Sequence, residues 1–146
     1  MHMTRLPLNV RAILFDQQGR LVLIKRTRPG VPEYWVTPGG GVEYSDADFE
    51  AALVRELMEE LGAEVEIQHL ALEINQPDGK VRFFYQCKLL NMDLGKRCGP
   101  EFADPTLGKY EPEFIGFHPD TLENLDIKPD GLKAYLIELA SAPASC

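Results

Sequence analysis

Residues 46–61 contain neither proline nor glycine, and Gly62 follows them directly. Ser45 and Asp48, three residues apart, resemble the capping box that begins many helices, and glycine often ends them. The sequence therefore predicts one helix from Asp46 to Leu61. A run of three glycines, Gly39–Gly41, stands shortly before it and indicates a break with special backbone geometry.

The remaining chain is rich in β-forming segments separated by turns. Asp16–Gly19 and Pro77–Gly79 predict two hairpin turns, Thr27–Pro32 predicts a loop, and 91–110 predicts a long loop. Pro129 and the leucines at 132, 136 and 139 predict a closing amphipathic helix. The predicted strands are Asn9–Phe15, Leu21–Ile24, Tyr34–Thr37, Glu64–Ile74, Val81–Leu90 and Glu113–Phe117.

Composition limits the partners of this chain. Its 146 residues are 45% hydrophobic and 26% charged, which is typical of one globular domain, so we expect a single domain over residues 1–146. The net charge of -8 predicts that it binds neither nucleic acid nor an anionic membrane. A small anionic ligand needs local bases or metal cations that reverse this field.

The cysteines and the N-terminal segment indicate a compartment. Cys87, Cys98 and Cys146 form no Cys-x-x-Cys pair, and no signal-type apolar segment or membrane-spanning apolar run is present. We therefore expect reduced thiols and a cytoplasmic protein. The sequence leaves the oligomeric state open, with a homodimer among the alternatives.

Three acids of the predicted helix share one face. On a helical wheel Glu56, Glu59 and Glu60 fall together, whereas the apolar side holds Ala51, Val54, Leu57, Met58 and Leu61. Like charges at these spacings destabilise a helix by about 0.2–0.5 kcal/mol per pair. Arg55 cannot neutralise three carboxylates, so a bound hard cation, Mg²⁺ or Mn²⁺, is the economical explanation, and substrate phosphates commonly complete its shell.

Glycines beside such a cation have a physical use, because a backbone without Cβ atoms can approach a metal or a phosphate closely. Gly40 is therefore a candidate metal contact, and Gly39 and Gly41 are candidate substrate contacts. A solvated helix face and an ordinary glycine turn would explain either feature alone. Their combination favours a phosphate site.

Gly39–Ala63 resembles the Nudix box, the signature of the Nudix hydrolases. The segment Arg55-Glu56-Leu57-Met58-Glu59-Glu60-Leu61-Gly62 matches the second half of that pattern, and Ala63 stands at its final aliphatic position. The first acid of the box departs from the pattern. Strict spacing places it at Ala47, whereas a slip of one residue places it at Asp46.

This resemblance implies the fold and the reaction. The expected fold class is α/β (α+β), a Nudix-like α/β/α sandwich with a mixed central β-sheet. The expected reaction is hydrolysis of a nucleoside diphosphate linked to a group X, by metal-activated water attacking phosphorus. By position, Glu56, Glu59 and Glu60 would bind Mg²⁺ or Mn²⁺. Glu56, Arg55 and Glu60 would serve in catalysis, Arg55 by orienting a carboxylate, and Asp46 would be a supporting residue.

Further candidates contact the substrate or complete the site. Arg26 is the first choice for a phosphate or base contact among the bases Lys25, Arg26, Arg28, Lys80 and Arg82. Trp35 could stack on a nucleobase, as could the aromatics at 83–85. An additional carboxylate is expected from Glu101, Glu111 or Glu113.

The short chain favours a nucleoside triphosphate or a similar small nucleotide as substrate. ADP-ribose and nucleotide sugars stay open as alternatives, with Pro77 a faint signal for the former. A different class is a Nudix-fold nucleotide-binding or sensing module with weak or no turnover, which the missing box acid suggests. The retained residues at 55, 56, 59 and 60 favour an enzyme.

Overall fold

A computed structural model describes residues 5–98, 106 and 108–142. Within these residues, seven strands and three helices follow one another, with a short 3₁₀ turn at Leu94–Lys96 between β6 and β7. The elements are β1 Arg5–Phe15, β2 Leu21–Arg28, β3 Val31–Val36, β4 Gly39–Glu43, α1 Phe49–Leu61, β5 Ala63–Asn75, β6 Val81–Met92, β7 Lys109–Ile115, α2 Pro119–Glu123 and α3 Asp130–Ser141.

The strands form one mixed sheet. The main path runs β3-β2-β1-β6-β5, with β4 paired to β1 and β7 paired to β2. β1 runs parallel to β6 and antiparallel to β2 and β4. Within the described residues, β1 and β2 pair only at Leu14↔Val22 and Phe15↔Leu21. Earlier in β1, residues 9–11 pair with the glycine run of β4 and not with β2.

Alternation along the central strands builds a core on each face of the sheet. On one face Val10, Ala12 and Leu14 of β1 pack with Leu53 and Leu57 of α1. On the other, Ile13 and the β2 residues Leu21 and Leu23 pack with Leu132 and Leu136 of α3. Helices therefore cover both faces, and the predicted α/β/α sandwich with a mixed sheet is confirmed.

Both predicted hairpins form, β1–β2 and β5–β6, and α3 begins directly after Pro129. Three element predictions are wrong. Gly39–Gly41 is not a break but belongs to strand β4, which pairs with β1. Thr27–Pro32 is not a loop, because β2 continues to Arg28 and β3 begins at Val31. Helix α1 begins at Phe49 and not at Asp46. Asp48 is its N-cap, since its side chain accepts a hydrogen bond from the Ala51 amide, so Asp46 lies outside the helix.

The predicted long loop at 91–110 begins with the end of β6 and the 3₁₀ turn and ends with the start of β7. Residues 99–105 and 107 lie outside the described part of the chain. The sequence also missed the short helix α2. Among the described residues, no helix combines the length and the apolar character that a membrane span requires.

Candidate active site

The three acids of the box lie on the inner part of α1. Glu56 and Glu60 are one turn apart and only 7% and 8% exposed, and Glu59 is half-buried. The wheel placed Val54 on the buried side, which is wrong, because Val54 is 51% exposed. The helix is rotated so that Glu56 and Glu60 share its buried side with Leu53 and Leu57.

Strand β4 provides the room for these carboxylates. A Cβ atom on Gly40 would overlap the carboxylate of Glu56. At Gly39, φ is +149°, and a Cβ there would overlap the carbonyl oxygen of Val10. Glycine is therefore required at both positions, at Gly39 by the backbone and at Gly40 by the functional side chain.

Arg55 is the centre of an ion-pair network. Its Nη1 donates to Glu56 Oε1 at 2.9 Å and to Glu59 Oε2 at 3.4 Å, and lies 3.7 Å from Glu43. Its Nη2 donates to the Gly41 carbonyl at 3.1 Å. The Asp46 carboxylate, which bonds it most strongly, raises the pKa of Arg55, so the guanidinium is permanently charged.

Asp46 binds Arg55 through both oxygens. Arg55 Nε donates to Oδ1 and Nη2 donates to Oδ2, both at 2.9 Å, a two-point geometry that is strong and directional. The Glu43 amide also donates to Oδ2, at 2.8 Å. The bond from Arg55 lowers the pKa of Asp46. Ala47 is exposed, so the acid that reaches Arg55 lies one residue earlier than the strict box spacing places it.

A cavity of about 400 Å³ opens beside these acids, where β1 and β2 separate. Glu56, Glu59 and Glu60 line it together with the glycine run of β4. Four cationic side chains also line it: Arg11, Arg26, Arg82 and Lys128. The cavity thus combines oxygen ligands for a cation with cationic groups for an anion.

Sequence reasoning missed Arg11. Its Nε donates to Asn9 Oδ1 at 2.6 Å and its Nη1 donates to the Thr37 carbonyl at 2.9 Å, and these two bonds fix the guanidinium. Burial lowers the pKa of Arg11, against the opposing influence of Glu60. An arginine inside the otherwise apolar segment 10–15 was the available signal.

Arg26 lies in the cavity wall. It is directly opposite Tyr34 on β3 and Tyr110 on β7, because β2 pairs with both strands. The Arg26 guanidinium carbon lies 3.6 Å from the centroid of the Tyr110 ring and 5.9 Å from that of Tyr34. Both distances are in the range of cation–π contacts, which hold the guanidinium against the rings.

Other candidates lie elsewhere. Trp35 packs against the core on the α3 face, and its Nε1 donates to Glu113 Oε1 at 2.7 Å, so neither residue lines the cavity. Phe84 is fully buried and Phe83 stacks on Phe49. Glu101 lies outside the described residues.

The donors of the acidic cluster suit a hard divalent cation. Carboxylate oxygens are the ligands that Mg²⁺ and Mn²⁺ prefer, and Gly40 leaves the carboxylate of Glu56 space to occupy. Within the described ranges, no three His, Cys, Asp or Glu side chains are already grouped closely enough to hold a metal. Arg55 bonds both Glu56 and Glu59, so a metal would compete with its Nη1 for them.

Solved structures share this architecture. A NUDIX hydrolase from Nitrosomonas europaea superposes with a TM-score of 0.68 over 93% of this chain and 87% of its own, at 17% identity. An ADP-ribose pyrophosphatase from Streptococcus suis gives a TM-score of 0.61 over 94% and 93% of the two chains, at 20% identity. At these identities the likeness establishes the fold.

Sequence comparison identifies the family. An RNA pyrophosphohydrolase from Gluconacetobacter diazotrophicus is 42% identical over 62 residues, which span 38% of this chain and 36% of that protein. The chain therefore matches only about a third of the length of this curated relative. The sequence model described as NUDIX domain matches residues 5–105. The chain thus belongs to the Nudix family, as its box predicted.

Proposed function

We propose that this chain is a metal-dependent hydrolase that cleaves a phosphoanhydride in a nucleoside diphosphate linked to a group X. One observation carries the proposal: three box carboxylates and four cationic side chains line the same cavity. A phosphoanhydride substrate needs both, because its phosphates require positive charge and its hydrolysis requires an activated water.

The chain's own residues divide this work. Glu56, Glu59 and Glu60 supply the ligand oxygens for Mg²⁺ or Mn²⁺, and Arg55 holds the first two in place. When bound, the cation neutralises phosphate charge and activates water for attack. Glu56, buried beside Gly40, is the candidate acceptor for the proton of that water. Arg26 and the backbone of Gly39 and Gly41 contact the substrate.

The alternative of a binding module without turnover rested on the missing box acid. Asp46 now supports the enzyme, because it gives Arg55 the two-point carboxylate that a strict spacing lacks. A small nucleotide in the cytoplasm is the proposed setting, with ADP-ribose and nucleotide sugars as the competing substrates. A homodimer is a further proposal that gel filtration tests directly.

A substrate panel tests the proposal. Nucleoside triphosphates, nucleotide sugars, ADP-ribose and dinucleoside polyphosphates are incubated with Mg²⁺, with Mn²⁺ and with chelator. We expect release of a nucleoside monophosphate that requires the metal. Absence of metal-dependent turnover on every compound would support the binding module instead.

Glu60→Gln is the sharpest single change in this site. It removes one ligand charge but keeps the shape of a buried side chain, so we expect loss of most activity, about 100-fold in kcat, with the fold intact. Without metal, relief of like-charge repulsion should raise Tm slightly. Glu64→Gln, an exposed acid on β5, is the matched control, and equal activity of both variants would remove Glu60 from the site.

A further inference from the structure

Two arginines of the cavity are neighbours on adjacent strands. β1 and β6 are parallel, with Asn9 opposite Arg82 and Arg11 opposite Phe84. Arg82 is thus two residues from the partner of Arg11, and both side chains leave the same face of the sheet. Both line the cavity that holds the box acids.

Neither arginine forms an ion pair with an acid among the described residues, and Glu60 and Glu56 act on Arg11 only through their charge. Arg82 forms no hydrogen bond or ion pair with any described residue. Arg11 uses Nε and Nη1 on two neutral acceptors, Asn9 and Thr37, and its Nη2 bonds no described residue. Burial is the main cause that lowers the pKa of Arg11; the charge of Glu60 opposes it, Arg82 lowers the pKa further, and the smaller effects of Glu56 and Arg26 oppose each other.

This arrangement opposes the charge of the whole protein. The chain carries a net charge of -8, yet the cavity lining holds four basic side chains against three acidic ones. Divalent cations on the acids would make it more positive still. Two adjacent guanidiniums in a confined space repel each other unless an anion lies between them, and phosphate oxygens fit their donors in pairs.

We propose that Arg11 and Arg82 form an anion subsite for a phosphate of group X, so that the preferred substrates carry a 5′-triphosphate. This inference rests on the proposed function and narrows it. A nucleotide sugar or ADP-ribose would place neutral hydroxyls of X at two guanidiniums and leave their charge unanswered. A triphosphate extends the anionic chain beyond the scissile diphosphate and satisfies them.

Kinetics with matched substrates tests the subsite. UTP and UDP-glucose share the uridine diphosphate and differ in X, and ADP-ribose adds a second neutral X. We expect Arg82→Gln to lower kcat/KM for UTP by about tenfold or more, the scale of one charge-assisted hydrogen bond, and to lower the value for UDP-glucose much less. Lys88→Gln, an exposed cation on the same strand, is the control. A fall shared equally by both substrates would overturn the subsite.

A binding arm needs no turnover. Isothermal titration calorimetry with inorganic tripolyphosphate, in chelator and in Mg²⁺, should show about tenfold weaker binding to Arg82→Gln than to wild type. Arg11→Gln risks the fold because it removes two hydrogen bonds, so Arg11→Lys, with its Tm recorded, keeps the charge and should bind within a few-fold of wild type. Equal affinity of wild type and Arg82→Gln for tripolyphosphate overturns the proposal.

The outcomes separate the two levels of inference. If no substrate turns over but tripolyphosphate binding depends on Arg82, the subsite stands and the hydrolase proposal fails. If UDP-glucose or ADP-ribose is preferred over UTP, the hydrolase stands and the subsite fails. A 5′-triphosphorylated dinucleotide tests whether the triphosphate belongs to a free nucleotide or to the end of an RNA. If this dinucleotide is preferred over UTP, the subsite binds the triphosphate of an RNA end.

Discussion

At the scale of single residues, Arg55 sets the balance of charge beside the cavity. It is shared between Asp46 on one side and Glu56 and Glu59 on the other. Asp46 holds it by two short bonds, and its side chain is only 6% exposed. Asp46 therefore moderates how tightly Arg55 holds the carboxylates that a metal must bind.

Asp46→Asn tests this role. The neutral amide cannot hold Arg55 at both oxygens, so Arg55 should bond Glu56 and Glu59 more strongly and compete better with metal. We expect a fall in kcat of about tenfold and a higher Mg²⁺ concentration for half-maximal activity, with about 1–3 kcal/mol lost from the free energy of unfolding. Activity against Mg²⁺ concentration and thermal unfolding measure both.

Ala47→Glu is the complementary variant, because it restores the strict spacing of the box. Ala47 is exposed, so a glutamate there should leave kcat unchanged. A kinetically silent Asp46→Asn together with a faster Ala47→Glu would show that the strict spacing holds and that Asp46 is only structural.

Asp16, which does not line the cavity, leads to a prediction about the stability of the protein in acid. Burial raises its pKa, but the backbone amide and side chain of Arg20 and the amide of Gln18 outweigh burial, and the net pKa is lowered from 3.8. A carboxyl whose pKa is lowered by folding stabilises the folded state at a pH above its pKa in the unfolded chain. This contribution is lost as the pH falls through the pKa of the folded state. Asp16→Asn should therefore cost about 1–3 kcal/mol at pH 7 and progressively less below pH 3.8.

Urea unfolding across this pH range is the measurement for Asp16. Asp126→Asn, an exposed acid, is the control and should leave the free energy of unfolding unchanged at every pH. A cost for Asp16→Asn that stays constant down to pH 2 would contradict a lowered pKa.

At the scale of elements, the sequence pattern predicted the strands and helix ends that depend on neighbouring residues in the chain. Alternation and turn residues located β1, β2, β5 and β6, and the glycine stop at Gly62 located the end of α1, where φ is +60°. β4 was missed because its glycines lack strand propensity and are held by pairing with β1. The rotation of α1 was missed because burial of Glu56 depends on space left by another strand.

The glycines of β4 offer a prediction at this scale. Gly40 has an ordinary backbone, so Gly40→Ala should fold but displace the carboxylate of Glu56, with a loss of about tenfold or more in kcat and little change in Tm. Gly39→Ala should lower Tm, since its Cβ would overlap the backbone of Val10. Circular dichroism and kinetics on both variants distinguish these effects, and full activity of Gly40→Ala would separate Glu56 from the reaction.

At the scale of the whole molecule, the acids and the bases of the cavity come from distant parts of the chain. The acids follow one another on α1, so a motif reveals them. Arg11, Arg82 and Lys128 converge only because β1 pairs with β6 and the segment before α3 returns to the cavity. The sequence alone could not bring them together, since no local spacing records a parallel strand pairing.

Because β1 and β2 pair, in the described part of the chain, only at Leu14↔Val22 and Phe15↔Leu21, the sheet has two parts that are joined at these positions. Beyond these paired positions, the Ala12 amide donates to the Pro38 carbonyl and Arg11 donates to the Thr37 carbonyl. A ligand that contacts both Arg26 on β2 and Arg11 on β1 would hold the two parts of the sheet together. Deuterium exchange at the Ala12 amide should therefore slow when tripolyphosphate and Mg²⁺ are added, while the Cys87 amide of β6 exchanges as before.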